Sequence, residues 1–243
     1  MDIADLLSRR TDLSSFVVHL TRKTDPEHTA RVNLKSILEQ RVIEARSAFG
    51  PAVSQVPARG EGSKSQYCVS FSETPLEHLY CLTQAIPKRK VQLSSYGLAF
   101  TKMTARQRGV NPVWYTDITP GHDWLMNPIN ELVASETKRL KRFSKSPLAQ
   151  ITPFVEQMGS GRGRSGHGYR KEFWWEREWR HRGDFRFFKT DVVFGLAPEN
   201  RIEELETFSR KLQIRIRFVD PTWSLERTVA HLSGFKGAIT PFD

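Results

Sequence analysis

Cysteine is scarce in this chain: its 243 residues include two, Cys68 and Cys81. Two cysteines build neither a disulfide framework nor a four-thiolate metal site, and such usage fits a reducing compartment. Long apolar runs are missing as well, since none approaches the ~20 residues that span a bilayer. The opening MDIADLLSRRTDLSS lacks the uninterrupted apolar core of a signal peptide. These absences lead to the expectation of a soluble, cytoplasmic protein with no membrane attachment. Acidic residues are also in deficit, 27 against 37 Lys plus Arg, leaving a formal net charge of +10. An excess of that size favours an anionic partner, most often nucleic acid. A hydrophobic share of 38% excludes general disorder.

Other signals are absent too. The seven histidines are scattered, with no H-x-x-x-H pair, and no G-x-x-x-x-G-K-[ST] phosphate loop occurs. The glycine-rich run Gly159–Gly168 follows no convincing strand and opens no helix, so it is not a dinucleotide fingerprint.

The patterning that is present reads as α+β. Phe16–Leu20, Cys68–Ser72, Tyr96–Phe100, Pro112–Tyr115 and Val192–Leu196 are rich in β-branched and aromatic residues and are expected as strands. Leu34, Ile37, Leu38 and Ala45 recur at helical spacing over residues 31–46. Asn127-Pro128 opens a second helix and Asn200 caps a third. Ile214, Ile216 and Phe218 alternate with arginines as on a half-exposed strand. Helices inserted between short strands, without a repeat, give one α+β domain over residues 1–243. Residues 51–64 and 159–169 read as mobile loops.

The densest chemistry lies in Glu172–Arg180. If extended, Glu172, Trp174, Glu176, Glu178 and Arg180 share one face, while Phe173, Trp175 and Trp179 share the other. Glu176 and Glu178 would then stand about 7 Å apart, a spacing at which paired carboxylates stabilise a developing cation or activate a nucleophile. A helix, or a strand whose acids pair with Arg177, Arg180 and Arg182, is equally compatible with the residues. Residues 159–189 hold nine basic residues against four acids. Arg162, Arg164, Arg170, Arg180 and Arg182 are therefore the expected nucleic-acid contacts. Basic clusters at residues 87–108 and 138–145 extend that expectation.

His19-Leu20-Thr21, Asn33-Leu34-x-x-Ile37-Leu38, Val69-Ser70-Phe71-Ser72-Glu73-Thr74-Pro75, Tyr96-Gly97-Leu98-Ala99-Phe100, Asn111-Pro112-Val113-Trp114-Tyr115 and Glu176-Arg177-Glu178-Trp179-Arg180 occur in that order. The arrangement resembles the AbiGi-type abortive-infection proteins and, more distantly, DarT-type toxins of the ADP-ribosyltransferase superfamily. The distant resemblance implies split mixed sheets gripping NAD, with His19, Thr21, Ser72, Tyr96 and Trp174 holding the dinucleotide. It also implies Glu178 as catalytic residue with Glu176 beside it, and a toxin that places ADP-ribose on RNA or DNA in anti-phage defence, restrained by an antitoxin. The nearer resemblance implies the opposite role, since AbiGi-type proteins are described as the antitoxin half of such a pair. That gives the alternative of a non-catalytic antitoxin or nucleic-acid-binding regulator. A metal-dependent nuclease using Glu172, Glu176, Glu178 and Asp184 is a third expectation.

Overall fold

Thr29 starts the helix Ala30–Gln40 by accepting a hydrogen bond from the Val32 N–H on its side-chain oxygen. Leu34 and Leu38, one turn apart, are the large apolar residues it buries. Arg41 ends it in the left-handed region (φ 55°, ψ 38°). The helix therefore stops short of residue 46, the expected boundary. The structure, a computed structural model, describes residues 10–57, 60–85, 91–139, 143–162, 167–235 and 237.

The chain divides into two compact units. The first comprises Met1–Val42, Glu73–Ala105 and Arg186–Asp243, the second Ile43–Ser72 and Arg106–Phe185. In the first, the strands run in the order Phe218–Val219, Val192–Leu196, Gly97–Thr101, Phe16–Leu20. Val192–Leu196 pairs parallel with Phe218–Val219 and antiparallel with Gly97–Thr101. Gly97–Thr101 pairs antiparallel with Phe16–Leu20. Val18, Leu20, Leu79, Leu82, Ala99, Phe194, Leu196 and Val219 form its core. Gly195 is required there, because a Cβ would meet the Phe218 ring at 2.2 Å.

In the second unit, Tyr67–Ser72 pairs antiparallel with Ser47–Ala48 and with Glu178–Arg182, and Glu178–Arg182 pairs antiparallel with Asn111–Pro112. A separate three-stranded sheet runs Trp114–Asp117, Val155–Arg162, Gly168–Lys171, its first pair parallel and its second antiparallel. Ala52, Val56, Val133, Phe143 and Ala149 form a core cluster. Mixed sheets with inserted helices are thus the α+β class that the patterning implies.

Four local expectations are corrected. Residues 159–162 and 168–171 are strands of one hairpin rather than loop, while 163–166 lie outside the described residues. Within 51–64, Pro51–Ser54 is a 3₁₀ turn that buries Pro51 and Ala52, and Glu61–Lys64 is a helical turn. Asn200 caps nothing: it sits inside the 3₁₀ turn Glu199–Arg201, which leads into the helix Ile202–Lys211. Ile214 and Ile216 are buried and Arg215 and Arg217 exposed, but only Phe218–Val219 is strand.

Candidate functional site

The Glu178–Arg182 strand places every second side chain on one face. Its register sets Glu178 opposite Ser72, Arg180 opposite Ser70 and Arg182 opposite Cys68, so all six share that face. Arg180 is 1% exposed. Its Nε donates to Glu178 Oε1 at 3.0 Å and its Nη2 to Glu178 Oε2 at 2.7 Å. Nη2 also donates to Glu156 Oε2 at 2.6 Å, and Nη1 to the Pro153 carbonyl at 2.7 Å. Four of the five guanidinium N–H donors are thereby engaged. The cation also lies 4.1 Å from the centroid of the Phe49 ring. Burial works against the charge, yet the pairing with Glu178 and Glu156 outweighs it and raises the guanidinium above its ordinary pKa.

Glu178 is held from three sides. Besides Arg180, Ser70 donates its hydroxyl to Oε1, and the Glu178 backbone N–H donates to Tyr115 Oη at 3.1 Å. Burial pushes the Tyr115 phenol above its usual pKa. This carboxylate neutralises a buried cation. Arg180, expected on a phosphate-binding track, is instead the centre of this network. Strand spacing carried the signal, since Glu178 and Arg180 are two residues apart; Phe49, Pro153 and Glu156 carried none, because only folding brings them in.

Glu176 does not share the strand face. Phe173–Glu176 is a 3₁₀ turn, and Arg177 adopts the left-handed conformation (φ 46°) with its N–H bonded to the Trp174 carbonyl. That turn breaks the expected alternation between Glu176 and Glu178. It also turns its tryptophans outward: Trp174 is 54% and Trp175 36% exposed. The Trp174 Nε1–H donates to Glu172 Oε2 at 3.0 Å, and Arg170 Nε donates to Glu172 Oε1 at 2.8 Å.

The remaining expected residues fall in both units. In the first unit, the Thr21 N–H donates to the Tyr96 carbonyl at 2.8 Å, and its buried hydroxyl lies within hydrogen-bonding distance of that carbonyl and the Ala30 carbonyl. Thr21 thus ties the end of one strand to its neighbours. His19, half-buried, stands opposite Leu98 on the neighbouring strand, and its neighbour Val18 is buried. Tyr96 is half-buried, and burial raises its phenol pKa. Ser72 belongs to the second unit and is buried opposite Glu178. Arg162, Arg170 and Arg182 are exposed. Arg164, Lys88, Arg89, Lys90, Lys141 and Arg142 lie outside the described residues. Among the described residues, no group of three or more His, Cys, Asp or Glu side chains could hold a metal ion. No described helix is long and apolar enough to cross a membrane.

A family model described as "Putative abortive phage resistance protein AbiGi, antitoxin" matches residues 35–216. Neither the curated proteins nor the solved structures contain a match. The family description overturns the expectation of an NAD-dependent ADP-ribosyltransferase, because it names the restraining half of a toxin–antitoxin pair.

Proposed function

Since the chain belongs to the AbiGi family of abortive phage resistance proteins, matched over residues 35–216 of 243, we propose that it acts as the non-catalytic antitoxin of an anti-phage system. Its partner is then a toxin protein that it restrains. The family match over residues 35–216 carries this reading, and the Glu178 carboxylate, bound by Arg180 and Ser70, is compatible with it. A carboxylate so engaged neutralises the buried Arg180 and so contributes to the fold. Size-exclusion chromatography of the co-expressed toxin and this chain tests the proposal. A stable complex in which the toxin is inactive is the expected result; two independent peaks with a fully active toxin would refute it.

A second reading, nucleic-acid binding alongside toxin restraint, rests on the charge of the chain and on one hairpin. The net charge is +10. Ser160 pairs with Arg170 and Arg162 with Gly168, which makes Arg162 and Arg170 diagonal neighbours on one face of the Val155–Arg162/Gly168–Lys171 hairpin. Exposed cations so placed suit a phosphate chain. Electrophoretic mobility shifts with RNA and DNA at low and high salt test it: retardation that fades with salt is expected, and free migration of both probes at low salt would refute it.

A further inference from the structure

Five of the six tryptophans belong to the second unit, and four of them are exposed, Trp124, at 77%, lying outside the stretch considered next. Trp174 and Trp175 lie on the Phe173–Glu176 turn, and Trp114 is 50% exposed. Trp114 follows Val113, whose N–H donates to the Glu178 carbonyl at 2.9 Å, so its backbone runs beside the strand that leaves the turn. Tryptophan left in water forgoes a large hydrophobic gain, and several in one region mark a contact surface.

This corner is fixed. The Arg177 N–H closes the turn onto the Trp174 carbonyl, and the Glu178–Arg180 network anchors the strand that follows. The Trp174 indole is oriented through its edge by Glu172, and 54% of the residue is exposed. The preceding strand carries Arg170, which is exposed and paired with Glu172, and Arg162 lies diagonally across the hairpin on the same face. Arg170 and the two exposed tryptophans thus lie within six residues of chain, with Glu172 bonded to both Arg170 and Trp174.

We infer that this corner binds single-stranded nucleic acid, with Trp174 and Trp175 stacking on unpaired bases and Arg162 and Arg170 meeting the phosphates. The inference rests on the nucleic-acid reading above and deepens it by naming the strand state. A duplex hides its base faces in its own stack and offers only phosphates and groove edges, which would leave the tryptophans unused. A single strand offers both.

Fluorescence anisotropy with the full chain, a labelled oligouridylate of ~20 nucleotides and a duplex of similar length decides the matter. The expected result is tighter binding of the single strand, quenching of tryptophan emission, and a loss of ~5- to 150-fold for Trp174→Ala, the equivalent of one stacked base. Trp174→Phe, which keeps a π face, retains most of the affinity, and unchanged thermal unfolding shows that both variants are folded. Arg162→Gln and Arg170→Gln each reduce the salt slope by about one. Equal binding of duplex and single strand, indifferent to Trp174→Ala, overturns the single-strand assignment and leaves the nucleic-acid reading standing. No binding of either probe at low salt overturns both. Lost toxin restraint in Trp174→Ala with RNA affinity intact assigns the corner to a protein contact and overturns the inference.

Discussion

Arg180 folds back onto Glu178, its neighbour two places earlier on the same strand, and the two form a paired contact of 3.0 Å and 2.7 Å. An extended backbone puts both side chains on one face, so the pairing is local in sequence. Its burial comes from the distant residues Phe49, Pro153 and Glu156. The most conspicuous acid of the EREWR segment therefore serves the interior of the second unit.

Removing the cation should be costly. Arg180→Met leaves Glu178 and Glu156 without their shared counter-charge, and breaking such a buried pair costs ~3–5 kcal/mol. Urea unfolding of the variant against wild type measures the loss. Arg180→Lys should also destabilise, since one ammonium cannot reproduce the two-pronged contact with Glu178. A loss under ~1 kcal/mol for Arg180→Met would mean that the network is incidental.

Cys68 lies opposite Arg182, and burial pushes its thiol up to about 12. The fold thus favours the neutral thiol over an unfolded chain in which the group titrates near ~8.5. This contribution is complete below the unfolded value and is lost as pH rises from there towards about 12. Cys68→Ala should therefore show a shallower alkaline fall in stability than wild type. A disulfide reagent at mildly alkaline pH should label the half-buried Cys81 well before Cys68; equal rates at the two would contradict the burial.

At the end of the Ala30–Gln40 helix, Arg41 occupies a left-handed position that glycine adopts without penalty. Its N–H donates to the Ile37 carbonyl, a bond that glycine keeps. Arg41→Gly should raise stability by ~0.5–1 kcal/mol, seen as a higher urea midpoint at unchanged slope. A lower midpoint would show that the Arg41 side chain contributes more than its backbone strain removes.

The converse holds at Gly195, opposite Phe218 in the parallel strand pair of the first unit. A Cβ there would stand 2.2–2.6 Å from three ring atoms. Gly195→Ala should cost ~1–3 kcal/mol through displacement of the ring. Thermal unfolding measures this, and an unshifted midpoint would show that the ring has room to move.

Local rules made much of the fold legible in the sequence. The strands around Val18, Val69, Ala99 and Phe194 follow from runs of β-branched and aromatic residues, and the Ala30–Gln40 helix from the spacing of Leu34 and Leu38. Its end at Arg41 was not legible, since arginine rarely accepts a positive φ. The hairpin at Gly159–Lys171 was concealed by glycines: Gly159 has φ 93°, and Gly161 leaves room for the Tyr169 ring. The strand through EREWR was legible from Glu178 onward, whereas the left-handed Arg177 hid the turn before it. The pairing of Arg180 with Glu178 was legible from strand spacing but its burial was not, because charged residues usually lie at the surface and its second partner, Glu156, is 24 residues away.

Growth of bacteria induced to express this chain, alone and together with the toxin it restrains, tests the central claim most directly. The account predicts normal growth with the chain alone and rescue of toxin-arrested cells when both are present. Growth arrest by the chain alone, relieved by Glu178→Gln, would contradict it.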